Sequence, residues 1–269
     1  MKKSGITAVI ICKNEVSLIE DCIRSVAPVC DEVLVLDSQS TDGTPEKAVS
    51  LGAKVLSVQW LGYGATKNFG ADTAQHPWIL SIDADERLSP ELQLEISKLD
   101  LSNPGVFAFN RLNYFCGQAI RYSGWFPEWR PRLYHRDVAS WSSDAVHEVL
   151  ELGSGMSVQR LSGLFHHFSY QEAGQLGFKS KKYALLKAME WRNQGKFPSV
   201  IRLLVSPIWR FLKTYVLRRG FLDGVAGFKI AWWFAVSINY QYYFFLRLHF
   251  SKDNQPIEKD YGVKLTQID

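Results

Sequence analysis

Asp83 and Asp85 stand one residue apart at the end of the apolar run Ile79-Leu80-Ser81-Ile82, and Glu86 follows them. In an extended backbone, residues i and i+2 share a face, so the two carboxylates can project together past a sheet edge toward one hard cation. Mg²⁺ or Mn²⁺ suits such an oxygen-rich site, and a diphosphate is the partner such a cation holds. The competing reading of Asp83-Ala84-Asp85-Glu86 is a solvated turn with Asp85 or Glu86 near the start of a helix. Other polar clusters bear on the choice. Asn14 and Glu15 follow another apolar run, where they can meet a nucleotide or begin a helix whose N-terminus favours a carboxylate by about 0.3–1 kcal/mol. Asp37 closes Val33-Leu34-Val35-Leu36 and can accept hydrogen bonds from a base or a ribose hydroxyl. Asp42-Gly43 reads as a turn. Gly62-Tyr63-Gly64 leads into a helix carrying Lys67, where free N–H groups and the ammonium can face phosphate oxygens, a solvated lysine being the alternative.

These residues need elements to hold them, and the chain alternates strand and helix. Strands are expected near 6–12, 32–37, 54–57 and 78–83, and helices near 15–27, 44–51, 64–74 and 89–98. That order implies an α/β fold with a mainly parallel sheet flanked by helices, its ligands at the carboxyl ends of the strands. Asn14-Glu15, Asp37 and Asp83-Ala84-Asp85 all fall at that rim. The run Ile6 to Cys12 is short and β-branched and lacks a small-residue cleavage pattern, so it reads as a first strand and not as a signal peptide. Four cysteines without Cys-x-x-Cys spacing argue against a disulfide framework or zinc site and suit a reducing compartment.

Three ordered motifs carry a resemblance. Val9-Ile10-Ile11-Cys12-Lys13-Asn14-Glu15, then Val35-Leu36-Asp37-Ser38 through Asp42-Gly43-Thr44, then Ser81-Ile82-Asp83-Ala84-Asp85-Glu86 resemble family 2 glycosyltransferases of the GT-A fold. Gly62-Tyr63-Gly64 through Lys67-Asn68 also matches, and within the family the chain is most similar to bacterial lipopolysaccharide-core glucosyltransferases that add a hexose to inner-core heptose. The resemblance covers roughly residues 5–170. It implies a UDP-sugar donor, probed by Glu15 and Asp37 at the uridine, Asp83 at the ribose or metal, Asp85 at the metal, and Lys67 near the nucleotide or diphosphate.

An inverting sugar transfer also needs a base on the acceptor side. Trp141-Ser142-Ser143-Asp144-Ala145-Val146-His147-Glu148 offers Glu148 as first choice and Asp144 as second, with His147 expected to position a substrate hydroxyl. Between this segment and the paired aspartates lies a loop dense in rings and guanidinium groups. There Trp125 or Trp129 can lie against a sugar face, and Arg130 and Arg132 can grip phosphate or carboxylate oxygens. Either of His166 and His167 can reach a metal or diphosphate, or simply pack.

The formal net charge of +4 is unevenly spread, because residues 175–250 hold thirteen Lys and Arg against Glu190 and Asp223. A basic, aromatic-rich third on an acidic body suits an anionic surface, and its long apolar runs favour membrane lipid over nucleic acid. Arg202, Arg210 and Lys213 share an arc of roughly 80° on one helix, and Pro207 is expected to kink or break it. Lys229, Asn239, Gln241 and Arg247 divide the run from Val225 to Phe250 below the length of about 20 residues that a spanning helix wants. The expectation is therefore a catalytic domain over 1–170, split near 100 into donor and acceptor halves, a membrane-associating helical region over 171–250, and a polar tail over 251–269. The expected protein lies on the cytoplasmic face of the cell membrane and moves a hexose, glucose first, from a UDP-sugar to a lipopolysaccharide-core or other lipid-linked glycan. A polyprenyl-phosphate sugar transferase is the alternative within the class. A nucleotidyltransferase or a silent membrane scaffold are the alternatives outside it, and oligomeric state stays open.

Overall fold

A computed structural model describes residues 5–142, 148–196 and 200–250, without the side chains of residues 200–202. The chain divides into two compact units: residues 1–113 with 127–169, and residues 114–126 with 170–269.

The first unit opens with β1 (Ile6–Cys12), α1 (Ile19–Val26), β2 (Glu32–Asp37), α2 (Thr44–Ser50), β3 (Lys54–Ser57), α3 (Tyr63–Thr73) and β4 (Trp78–Asp83). The strands run parallel in the order β3-β2-β1-β4. The register sets Cys12 beside Asp37 and Ile11 beside Asp83, so the polar residues after each apolar run meet at one rim. β1 is buried along its whole length. Its period of two sends Ile6, Ala8, Ile10 and Cys12 into a core shared with Ile19, Cys22, Ile23 and Val26 of α1. Val9 and Ile11 enter the opposite core with Leu34, Leu36 and Ala71. Each such fully buried aliphatic side chain is worth about 1.5–3 kcal/mol in transfer free energy. This is the expected α/β class, helices flanking a parallel sheet.

The remaining elements add an antiparallel half: β5 (Glu86–Leu88), α4 (Pro90–Ser97), β6 (Val106–Phe115), β7 (Gln118–Ala119), β8 (Trp129–His135), β9 (Ala139–Trp141), β10 (Leu150–Leu152) and β11 (Val158–Tyr170). The sheet continues from β4 through β8, β6 and β11 to β5, while β9 and β10 pair separately. α4 starts as its residues dictate, with Ser89 Oγ accepting the Leu92 N–H and Pro90 in the first turn. The segment expected as an aromatic and arginine loop is in fact strand β8 from Trp129 onward. Its Pro131 is tolerated opposite Ala108, where the β6–β8 register shifts in a bulge.

The second unit is helical beyond its short β pairing: α5 (Ala173–Asn193), α6 (Val200–Leu212), a π turn (Lys213–Leu217), a 3₁₀ turn (Gly220–Asp223) and α7 (Gly224–Phe250). Ala184, Leu185, Ala188 and Met189 of α5 pack on Phe244, Phe245 and Leu248 of α7. Two expectations change here. Helix α6 runs on through Pro207, and the irregularity comes after it, in the π turn. Gly220–Phe250 is one continuous helical stretch of 31 residues, long and apolar enough by length and composition to cross a membrane. Lys229 and Arg247 fall toward its two ends, so the neutral Asn239 and Gln241 do not divide it.

Candidate active site

At the rim, the residues after β1 and β2 lock onto each other. Asn14 adopts a left-handed backbone at φ 56°. Its N–H donates to Ser40 Oγ at 2.8 Å, and its Oδ1 accepts the Thr41 N–H at 2.9 Å. Thr44 Oγ1 accepts the Glu15 N–H at 2.9 Å, and Asp42 accepts the Thr44 N–H and the Val16 N–H. Asp37 is buried, with Oδ2 accepting the Ser40 N–H at 3.0 Å and Oδ1 3.6 Å from Cys12 Sγ. Burial, with the Asp37 charge beside it, pushes the Cys12 thiol far up, so it stays a neutral packing group.

Asp83 ends β4, Asp85 lies in the turn to β5, and Glu86 opens β5. The strand alternation therefore stops before Asp85. Asp85 is thus presented from a turn and not from extended backbone. Glu86 is 0% exposed and braces this turn: its Oε2 accepts the Asp83 N–H at 2.9 Å, and its Oε1 lies 2.6 Å from Arg132 Nη2 and 3.4 Å from Arg111 Nη1. Arg132 also reaches Asp83 Oδ2 at 3.2 Å. Burial works to raise the Asp83 carboxyl, but the charges of Lys67 and Arg132 outweigh it and hold Asp83 well below the usual carboxylate range.

Lys67 is 1% exposed, which is unusual for a lysine. Its ammonium sits 3.3 Å from Asp83 Oδ1 and 3.2 Å from Glu148 Oε1, and 4.7 Å from the Trp141 ring centre. Two features of α3 make this approach possible. Any side chain at Gly64 would run into the Ser142 carbonyl, and Asn68 exchanges two 2.8 Å hydrogen bonds with the Trp141 backbone. Beyond Glu148 opens a cavity of about 290 Å³ lined by Asp83, Arg111, Arg130, Arg132, Trp141 and Glu148 among others.

Adjacent residues on a strand face opposite ways, and of the histidine pair on β11 it is His167 whose Nε2 lies 3.3 Å from Asp85 Oδ2. Asp83 Oδ1 is buried, with the Lys67 ammonium 3.3 Å away. Among the described residues no group of three metal-ligating side chains occurs. Asp85 and His167 thus fit a divalent cation that draws its other ligands from a diphosphate and water, not a closed structural metal site.

A model of glycosyl transferase family 2 matches residues 7–158. The chain belongs to glycosyltransferase family 2. An uncharacterized glycosyltransferase of Rickettsia bellii is 36% identical over 249 residues, 86% of this chain and 83% of that relative. The lipopolysaccharide core biosynthesis glycosyltransferase LpsC of Rhizobium meliloti is 29% identical over 84% of this chain and 86% of its own. Among solved structures, glucosyl-3-phosphoglycerate synthase from Mycobacterium tuberculosis, in complex with Mn²⁺, UDP and glucosyl-3-phosphoglycerate, is 27% identical. It covers 41% of this chain and 44% of that one, with a TM-score of 0.33.

In this family 2 glycosyltransferase, Lys67, Asp83, Glu148 and Arg132 gather in one cluster, and Asp85 joins His167 beside it. Arg132, expected to grip the acceptor, lines the cavity and pairs with Glu86 and Asp83, as a buried guanidinium needs carboxylate partners. Arg130 lies at the cavity, half exposed and paired with Glu128. Trp125 belongs to the other unit, packed against Tyr170 and Phe234. Asp144 and His147 lie outside the described residues. The sequence reading missed Glu86 as a partner of two arginines, and it missed Arg111, Asn113 and Glu128. Arg111 and Asn113 show locally only as polar residues within the largely apolar β6, and Glu128 lies just before β8.

Proposed function

We propose that this glycosyltransferase is an inverting enzyme that moves a hexose, glucose first, from a UDP-sugar to a lipopolysaccharide-core or other lipid-linked glycan. The observation that carries the reading is Lys67, one ammonium touching both the carboxylate that ends β4 and the carboxylate that borders the cavity. Donor side and acceptor side thereby meet at a single point. Asn14, Glu15 and Asp37 form the nucleotide end of the rim, with Asp37 and the loop it orders receiving the uridine. Asp85 and His167 would hold a divalent cation, Mg²⁺ or Mn²⁺, which would supply positive charge to the departing diphosphate. Glu148 takes the proton of the acceptor hydroxyl while that oxygen bonds to the anomeric carbon and the bond from that carbon to the diphosphate oxygen breaks. Asp144 is the second candidate for this proton. Arg111 and Arg130 give the cavity wall a positive character that suits an acceptor bearing phosphate or carboxylate groups. The same positive wall suits a polyprenyl phosphate, whose ionised oxygen needs no base.

The second unit supports a membrane location on the cytoplasmic face. Leu204, Ile208, Leu212 and Val216 recur every four residues and are 44–65% exposed, a stripe of apolar side chains turned to solvent. Arg210 of the same helix is turned inward, over the Phe234 ring. Apolar residues out and charge in is the reverse of a water-facing helix and suits a lipid surface, with exposed Arg218 and Arg219 meeting anionic headgroups. Catalytic transfer from an α-linked UDP-sugar should give a β-linked product, read from the anomeric coupling by NMR. An α-linked product would contradict inversion, and turnover that survives Glu148→Gln and Asp144→Asn with polyprenyl phosphate would favour that acceptor.

A further inference from the structure

Behind the Asp85–His167 pair lies a chain of polar residues of which the transfer described above uses Arg111 alone, at the cavity wall. Asn113 is buried on β6, the neighbour of β11 in the sheet. One end of its amide is 2.7 Å from His167 Nδ1, and the other donates to Glu128 Oε2 at 3.0 Å. Glu128 is in turn gripped in a two-pronged contact by Nε and Nη2 along one edge of the Arg111 guanidinium, at 2.8 and 2.9 Å. Burial raises the Glu128 carboxyl, but Arg111, Asn113 and Arg130 prevail and bring it down to about 2, so it is ionised at neutral pH.

The chemistry of each partner then fixes the next. An ionised carboxylate only accepts, so the end of Asn113 facing Glu128 is its NH₂ group, and the end facing His167 is its carbonyl oxygen. That oxygen has no hydrogen to give, so His167 Nδ1 carries the hydrogen and donates it. Nε2 is left as the ring nitrogen directed at Asp85 Oδ2, 3.3 Å away. In the neutral ring Nε2 then carries the lone pair, and a cation shared with Asp85 Oδ2 satisfies both groups.

We propose that Asn113, anchored by Glu128 and Arg111, is a positioning residue that fixes the tautomer of His167 and so presents Nε2 to a divalent cation held with Asp85. Hydrogen-bond partners behind a metal-binding histidine typically set its orientation and basicity in this way. The inference rests on the metal-assisted reading of the site, and its test separates the two. Mn²⁺ binding is followed by electron paramagnetic resonance in the presence of UDP, on the full chain and its Asn113→Leu, Asn113→Asp and Asp85→Ala variants. The ¹⁵N shifts of the His167 ring are read in metal-free wild type and in Asn113→Leu, assigned by comparison with His167→Gln.

The expected result is Mn²⁺ binding weakened about 10- to 100-fold by Asn113→Leu at an unchanged melting temperature. Its His167 ring should become a mixture of tautomers, where the wild type shows hydrogen on Nδ1 alone. Asn113→Asp keeps an acceptor for that hydrogen and should retain most of the affinity, and this holds as a test even if Asn113→Leu fails to fold. Mn²⁺ affinity equal to wild type in Asn113→Leu, or a wild-type ring carrying its hydrogen on Nε2, would overturn the inference alone. Wild-type protein that binds no Mn²⁺ would overturn the metal reading together with it.

Discussion

Lys67, Asp83 and Glu148 form the smallest unit that makes chemical sense of this site, and each can be tested alone. Glu148→Gln removes a proton acceptor but little volume, so kcat should fall about 10²- to 10⁴-fold while UDP-sugar affinity stays near wild type. Steady-state kinetics beside equilibrium binding checks this. Glu86 tests the supporting residues: Glu86→Ala strips the buried Arg132 of its 2.6 Å carboxylate partner, leaving the longer Asp83 contact, and should cost about 3–5 kcal/mol in urea unfolding. Glu128 has a signature in pH. Its folded-state carboxyl lies at about 2 against an ordinary 4.5, so it adds stability above 4.5 and loses that contribution as the pH falls toward 2. Glu128→Gln should flatten that acid-side loss, seen in urea midpoints measured from pH 6 downward. At this scale Asp83, Asp85 and Lys67 were legible from residue type and spacing. Their partners were not, because Arg132 and Glu148 lie far along the chain and only the folded sheet brings them back.

At the scale of elements, strands β1 to β4 and the helices between them announce themselves by continuous apolar runs broken by Gly, Asn and Asp, and the observed bounds follow those breaks closely. The antiparallel half was harder to read. β8 carries Arg130, Pro131 and Arg132, residue types that argue against a strand, and it persists because a bulge absorbs the proline and buried acids absorb Arg132. β5 is too short to show a period, so the spacing of Asp83 and Asp85 leaves extended backbone and a turn both open, and the structure has the turn. Helix α3 offers a direct test of positioning. A Cβ at Gly70 would strike Val9 Cγ1 and Leu36 Cδ1, so Gly70→Ala should force α3 off the sheet and cost about 1–3 kcal/mol. A neutral or stabilising effect on the unfolding midpoint would contradict the close packing of α3 on β1.

Across the whole molecule, charge and apolar surface are divided between the units. An acidic body carries the catalytic cluster, while thirteen Lys and Arg against two acids mark residues 175–250. That imbalance was plain in the sequence, but the outward turn of Leu204, Ile208 and Leu212 was not, since periodicity gives a stripe without saying which way it faces. Full-length protein carrying Leu204→Glu with Ile208→Glu should lose binding to vesicles rich in anionic lipid yet keep its hydrolysis of UDP-sugar in solution. Vesicle binding equal to wild type would remove the membrane from the account. Sugar transfer from a UDP-sugar at the Asp85 rim is tested most directly by UDP release. A panel of UDP-sugars with Mg²⁺ or Mn²⁺ and a heptose-bearing lipid acceptor should give metal-dependent release that the acceptor stimulates and Asp85→Ala abolishes. Release equal in wild type and Asp85→Ala, or no release from any UDP-sugar by folded protein, would contradict it.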